Sequence, residues 1–236
     1  MCYSNSSTSK NIDLAKKYKK KIPVNMAEKP LFIASGFTFP QWRIVTKNPS
    51  LENMQWGLVP SWFNGEDVKE IAALTLNAKV ETLDEKVSFK HLLHRQECIV
   101  PSSGFFEWKT VGKEKIPYFV YPTTDFVFSM AGLYDHWIDP ISGIIRKTFT
   151  IITCPANDLM AEIHNSKKRM PVLLKPEQET NWLDGKLNLE ELKQPVESSF
   201  LKAHEVNKKL LAAKNCNSPD VQKPYHTAIY EQGSLF

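Results

Sequence analysis

Residues 98–109 read CIVPSSGFFEWK. A short apolar run, Cys98 to Pro101, meets a Ser-Ser-Gly break and then a second apolar run, which is the grammar of a β-hairpin. Side chains alternate along a strand, so Phe106 and Trp108 share one face and Glu107 points to the other. A chain organised around such a stretch is expected to rest on antiparallel sheet.

The neighbouring segments extend this reading. YFVY (118–121), FVFSMAGLYDHW (126–137) and KTFTIITC (147–154) are rich in β-branched and aromatic residues and are strand candidates. LFIASGFTFPQWRIVT (31–46) ends in strand-like alternation, Arg169 to Leu174 resumes strand character, and FLKAHEV (200–206) is a last strand. WGLVPSWF (56–63) is a loop, and IAALTLNAKVETL (71–83) leads from a loop into a buried segment. Helices are short. EKVSFKHLLHRQ (85–96) is predicted helical with Val87, Phe89 and Leu92 on one face. DLMAEIH (158–164) is started by Pro155 and capped by Asn157. KPEQETNWLDG (175–185) has Pro near its start and Gly185 past its end, and LEELKQ (189–194) is another helix. KNIDLAKKYKKK (10–21), with six lysines, suits a short exposed helix or a basic strap. The expected fold is α+β: one domain over residues 1–236, mainly antiparallel and barrel-like sheet with a few short helices, and an irregular C-terminal arm over about 215–236.

Bulk properties narrow the function classes. The 236 residues carry a net charge of +4, which permits a nucleic-acid partner without requiring one. Hydrophobic residues at 42% fit a globular chain, and no stretch reaches the length of a membrane-spanning helix. Polar residues follow Met1 at once, so no signal peptide is expected. A cytoplasmic protein is the reading, nucleoid-associated if bacterial, and a monomer. Cys2, Cys98, Cys154 and Cys216 are widely spaced and read as free thiols. His91 and His94 have metal-compatible spacing but no second ligand pair, so neither a metal nor a cofactor is expected.

Several residues carry two readings each. Glu107, between Phe106 and Trp108, is either a desolvated general acid–base or an ordinary solvent-face carboxylate. His164, just before SKKR, is either a reactive imidazole or a surface C-cap. Asn77 either binds a reacting amine or carbonyl or simply marks a turn. Trp56 and Trp62 anchor a loop or stack on unpaired bases. Lys167, Lys168 and Arg169 form a basic cluster that is either a solvated face or a set of phosphate contacts. Cys2, once Met1 is lost, presents an amine and a thiol on adjacent carbons.

Met-Cys at the start, WGLVPSW (56–62), NAKVET (77–82), CIVPSSGFFEW (98–108) and EIHNSKKRMPVLL (162–174) occur in order. Together they resemble the SOS-response-associated peptidase (SRAP) family, whose members process abasic sites in DNA. The resemblance implies an α+β domain with a positively charged groove for single-stranded DNA. It also implies Cys2 as a nucleophile exposed by loss of Met1, with Asn77, Glu107 and His164 completing the site and Thr153 lining the pocket. It further implies that Cys2 joins the sugar of an abasic site through a thiazolidine. On the same resemblance Glu107 or Cys2 is expected to help remove Met1, a step that methionine aminopeptidase can also perform.

Two departures stand out. The family commonly begins Met-Cys-Gly-Arg, whereas this chain has Cys2-Tyr3-Ser4, and its Asn-Ala-Arg is Asn77-Ala78-Lys79 here. Lys79 keeps the charge but not the bidentate fork of arginine. Two other function classes fit the same residues. One is a hydrolase in which Cys2 attacks amides with its own amine as base. The other is a non-covalent reader of modified or damaged DNA.

Overall fold

The computed structural model describes residues 2–225 of the chain. In chain order the elements are β1 (Ser4–Ser7), α1 (Asn11–Tyr18), β2 (Leu31–Ser35), β3 (Gln41–Ile44), β4 (Glu52–Trp56), α2 (Val68–Leu74), β5 (Asn77–Lys79), β6 (Glu97–Ser102) and β7 (Gly104–Val111). They continue with β8 (Glu114–Pro122), β9 (Phe128–Ile138), β10 (Ile145–Pro155), α3 (Asp158–Ile163), β11 (Arg169–Pro171), β12 (Leu173–Leu174), α4 (Pro176–Leu183), α5 (Leu189–Lys193), β13 (Leu201–Glu205) and α6 (Lys208–Leu211). The α+β class expected from the sequence is what these residues form.

Both arms of the 98–109 stretch are strands, but they do not pair with each other. β6 lies against β9 in an eight-stranded sheet, while β7 lies between β8 and β1 in a five-stranded sheet. The Ser-Ser-Gly break is therefore a corner between sheets, not a hairpin turn. Its hydroxyls supply bonds that a corner leaves open: Ser102 Oγ donates to Gly104 O at 2.8 Å, and Ser103 Oγ accepts from the Thr8 amide at 3.1 Å. Gly104 is required by close approach. A Cβ there would stand 2.4 Å from the Phe119 ring and 2.7 Å from the Val120 carbonyl oxygen. Gly104→Ala is expected to cost roughly 1–3 kcal/mol through overpacking, measured as a lowered denaturant midpoint at constant slope.

The five-stranded sheet, ordered β13-β8-β7-β1-β2, is antiparallel throughout. The larger sheet runs β12-β9-β10-β4-β3, with β6 added on β9 and β5 and β11 on β10; β4 and β5 are parallel to β10. The barrel-like form expected from the sequence is not borne out. Among the described residues there are two sheets and no closed barrel, and β3 reaches back to β6 through the lone Val45–Ile99 bridge. The main core fills with Trp42, Trp56, Phe105, Phe149 and their aliphatic neighbours. Each fully buried aromatic or aliphatic side chain of this kind contributes about 1.5–3 kcal/mol.

The short helices follow their caps. The Asn157 side chain accepts from the Met160 amide at 3.0 Å and starts α3. Pro176 opens α4, and Gly185 follows it with φ +67, where a side chain would be strained. The helix expected over 85–96 is a run of turns instead. Phe89 and Leu92 are buried, Val87 is exposed, and three-residue turns bring the two anchors under one surface. His94 at φ 62 then ends the run, so burial three residues apart outweighs helical continuation. The start of the C-terminal arm is pinned. The Gln222 amide donates to Phe32 O at 2.8 Å, and Asn217 Oδ1 accepts from the Phe32 amide at 2.7 Å. Residues 226–236 of the expected arm lie outside the described residues.

Candidate active site

Pairing of β1 with β7 sets Ser4 opposite Phe106 and Asn5 opposite Phe105. The residues just before Ser4 run on beside the stretch after Phe106, so the charge of Glu107 acts on both Tyr3 and Cys2. Asn77 opens β5, whose parallel register on β10 aligns Asn77 with Ile151 and Lys79 with Thr153. His164 follows β10 through α3 and closes that helix, its amide bonded to Met160 O at 2.7 Å. Four residues distant in sequence are thus delivered to one end of the fold by two sheets and one helix.

Asn77 Nδ2 donates to the Cys2 carbonyl oxygen at 3.0 Å. Its Oδ1 is buried and has no hydrogen-bond partner among the described residues, so an acceptor stands unused beside Cys2. The Cys2 side chain is fully buried. That burial, and then the nearby negative Glu107, push its thiol well above the ordinary value, so the sulfur is held as a neutral thiol. Cys2 is thus buried in the chain that carries Met1, next in sequence to Tyr3, which helps to line a cleft with Glu107 and His164.

Glu107 is buried, and burial raises its carboxyl from 4.5 to about 7. Of the two readings open in the sequence, the solvent-face carboxylate is excluded. The alternation itself holds: Phe106 packs into a small cluster with Phe119, Val206 and Val221, while Phe105 joins the main core. His164 Nε2 lies 3.8 Å from Glu107 Oε2, beyond hydrogen-bond length but close enough to couple through a bound molecule. Its Nδ1 is 2.8 Å from the Arg169 carbonyl oxygen, which can only accept, so Nδ1 carries the proton and neutral imidazole turns its Nε2 lone pair toward Glu107. Burial lowers the His164 value and favours that neutral form. His164 is the C-cap of α3, but a buried one rather than the surface residue of the blander reading.

Tyr3, Glu107, Thr110, Lys115, His164 and Lys167 line an open cleft of about 360 Å³. Near neutral pH it offers a carboxyl close to half protonation, a neutral imidazole and two lysines. That set suits proton transfer to and from a carbonyl group flanked by anionic groups.

Other expected binding residues divide. Lys79, Lys167 and Lys168 are exposed, and Trp62 is 48% exposed, so all four remain available to a ligand. Trp56 is not: it is fully buried, stacks on Phe149 with centroids 6.4 Å apart, and donates from Nε1 to Leu76 O at 2.9 Å. It braces the residue before Asn77 and presents no face to a base. Thr153 is also fully buried, its Oγ1 donating to Ala78 O at 3.3 Å and accepting from Arg169 Nη2 at 3.2 Å. It is a strut, not a pocket wall. Arg169 is committed to Glu81, with Nη2 bonded to Oε2 at 2.9 Å and Nη1 bonded to Oε1. Burial alone would raise the Glu81 carboxyl, but the Arg169 bonds outweigh it and hold the value below normal. His91 Nε2 lies 3.2 Å from Asp135 Oδ2, and His94 Nδ1 lies 2.7 Å from the Gly185 carbonyl oxygen.

Two positioning residues escape a residue-by-residue reading. Asn165 accepts from the Thr110 amide at 3.0 Å and donates to Thr110 O at 2.8 Å, tying the segment after His164 to the strand of Glu107. Glu81 fixes Arg169, whose carbonyl orients His164. Both stand inside the quoted blocks NAKVET and EIHNSKKRMPVLL, the one signal that could have found them.

Comparison with known proteins adds a decisive observation. The family model described as SOS response associated peptidase (SRAP) matches residues 1–213. The chain belongs to the SRAP family. This SRAP chain is 38% identical over 179 residues to "Abasic site processing protein YoqW" of Bacillus subtilis, covering 74% of this chain and 76% of the relative. It is 34% identical over 153 residues to "Abasic site processing protein HMCES" of Xenopus tropicalis, covering 57% of this chain and 45% of the relative. A crystal structure of a protein from Bacteroides thetaiotaomicron superposes with a TM-score of 0.89 at 35% identity, covering 95% of this chain and 100% of that one. Among the described residues, no helix of this SRAP chain is long and apolar enough to cross a membrane.

Proposed function

We propose that this protein captures abasic sites in single-stranded DNA by covalent attachment to Cys2, forming a thiazolidine that shields the lesion. The observation that carries this reading is the grip of Asn77 on the Cys2 carbonyl at 3.0 Å, beside a Glu107 carboxyl raised to about 7. Names of relatives, abasic site processing proteins from bacteria to vertebrates, support the same substrate.

The chemistry begins with loss of Met1, which turns the Cys2 nitrogen into a primary α-amine. Such an amine has a reference pKa of about 7.7–8.0, so a useful fraction is neutral near pH 7, unlike a lysine at about 10.4. Asn77 Oδ1 accepts one N–H of that amine and aims its lone pair. The amine attacks C1′ of the ring-opened sugar aldehyde, giving a carbinolamine. Protonated Glu107 donates to the carbinolamine hydroxyl, which leaves as water and yields the imine. The Cys2 thiol then adds to C1′, its proton passes to the nitrogen, and a five-membered ring closes. One water is lost overall. Closure is intramolecular and gains from proximity. His164, with Nε2 unprotonated, takes the C1′ hydroxyl proton as the C1′–O4′ bond breaks and returns it to O4′, so the sugar ring opens with no net change of protons. Lys79 and Lys167 meet the flanking phosphates.

Intact-mass analysis of the mature protein mixed with an abasic single strand tests the reading. The expected product has the summed mass of protein and strand less one water. A chain retaining Met1 gives none. Turnover of a peptide or amide without such a product would favour the hydrolase class, and reversible binding alone would favour the non-covalent reader.

A further inference from the structure

Tyr3 lines the cleft with Glu107 and His164, and its ring lies against that of Phe37, with centroids 5.0 Å apart and planes inclined by 40°. Phe37 is 55% exposed. Its position is fixed from both sides. The 3-10 turn Gly36–Thr38 begins with the Gly36 amide donating to Tyr3 O at 2.8 Å and closes with the Phe39 amide donating to Gly36 O at 2.9 Å. Thr38 Oγ1 donates to Ser35 O at 2.7 Å, and Ser35 is paired with Ser4 across β1 and β2. At Gly36 the turn packs closely: a Cβ would stand 3.0 Å from the Leu76 side chain, next to Asn77. An isolated exposed apolar residue needs no explanation. Here, however, the exposed ring rests on a ring of the catalytic cleft and sits on a turn wedged between the elements that carry Cys2 and Asn77.

We infer that Phe37, backed by Tyr3, is a stacking platform for the nucleobase next to the abasic nucleotide. The inference rests on the abasic-strand reading above. An abasic nucleotide has no base of its own, so a site that recognises it must take its stacking from a neighbour. Aromatic faces bind bases with little regard to sequence, and the lysines Lys115 and Lys167 on the same cleft complement the phosphates on either side of such a base. A peptide would offer neither regular negative charge nor planar faces at this spacing. Trp62, the aromatic singled out in the sequence, contacts Phe63 rather than the Tyr3–Phe37 pair.

The test uses short single strands carrying a tetrahydrofuran abasic analogue, which has no aldehyde and binds reversibly. One strand has adenines on both sides of the analogue; the other has base-less tetrahydrofuran residues there. The mature wild-type protein is expected to bind the adenine-flanked strand roughly tenfold more tightly. Phe37→Ala and Phe37→Leu are expected to lose that preference while binding the base-less strand as wild type does. Leucine keeps the apolar bulk, so it separates stacking from hydrophobic contact. With 2-aminopurine in place of one adenine, fluorescence falls on binding to wild type and not on binding to Phe37→Ala. No preference in wild type, or an undiminished preference in Phe37→Ala, overturns the platform. If wild type still forms its adduct with a natural abasic strand in that case, only the platform fails. If wild type neither forms the adduct nor binds either analogue strand, both readings fail.

Discussion

Cys2→Ala is expected to abolish the stable adduct proposed between the mature chain and an abasic strand. The variant still matures to a small first residue and still has an α-amine, so it still reaches the imine. It lacks the sulfur that removes the imine from equilibrium. Intramolecular closure competes at an effective concentration of order 10⁵ M or more, so no external thiol at ordinary concentration substitutes for it. The imine is instead trapped by borohydride, or lost to hydrolysis and to β-elimination of the 3′ phosphate. The expected pattern on a denaturing gel is therefore specific: no shifted band without reductant, a shifted band with it, and more strand scission than with wild type. Cys2→Ser gives the same pattern if sulfur is needed for its nucleophilicity rather than its size. An adduct of wild-type yield in Cys2→Ala, without reductant, would sink the assignment. Because Cys2 is wholly buried, its truncation also leaves a small void, and circular dichroism of the variant separates loss of chemistry from loss of fold.

What was legible in the sequence depends on how local its cause is. The strands of CIVPSSGFFEWK were legible because apolar runs and a Ser-Gly break act over a few residues. Their partners were not, because β6 pairs with β9 and β7 with β1 and β8, all brought in from elsewhere in the chain. Caps at Asn157 and Pro176 act within one turn and were read correctly. The segment 85–96 has helical spacing, yet the burial of Phe89 and Leu92 and the turn at His94 are imposed by the surrounding fold. Trp56 and Trp62 are alike in sequence and opposite in the structure, because Trp56 ends β4 under Phe149 of β10, whereas Trp62 lies beyond the strand, and nothing local announces the difference. The placement of Cys2, Asn77, Glu107 and His164 was legible only through ordered blocks that resemble a family. No spacing rule brings four such distant residues together. The pairing of Tyr3 with Phe37 had no signal in the sequence.

Glu107→Gln separates the chemistry of the site from its cost to the fold, and it moves the two in opposite directions. The proposed reaction needs a neutral amine, favoured as pH rises, and a protonated Glu107, lost as pH rises through about 7. Wild-type adduct formation should therefore follow a bell-shaped pH profile. Glutamine fills the same space and cannot transfer the proton, so the rate at the optimum falls by about 10²–10⁴-fold and the alkaline limb disappears. Stability runs the other way. The folded value of Glu107 is raised above the unfolded value of 4.5, so the folded chain binds the proton more tightly. Below 4.5 the group is protonated in both states and imposes no ionisation penalty. Between 4.5 and about 7 the unfolded chain ionises first and stability falls, and above about 7 the loss is complete. The gap corresponds to roughly 3 kcal/mol. Relative to wild type, Glu107→Gln should thus gain about that much stability between pH 4 and pH 8, read from denaturant titrations at the two pH values. A pH-independent difference would mean that Glu107 is not desolvated. Loss of rate together with gain of stability in Glu107→Gln would trace both effects to the one proton that this buried carboxyl holds.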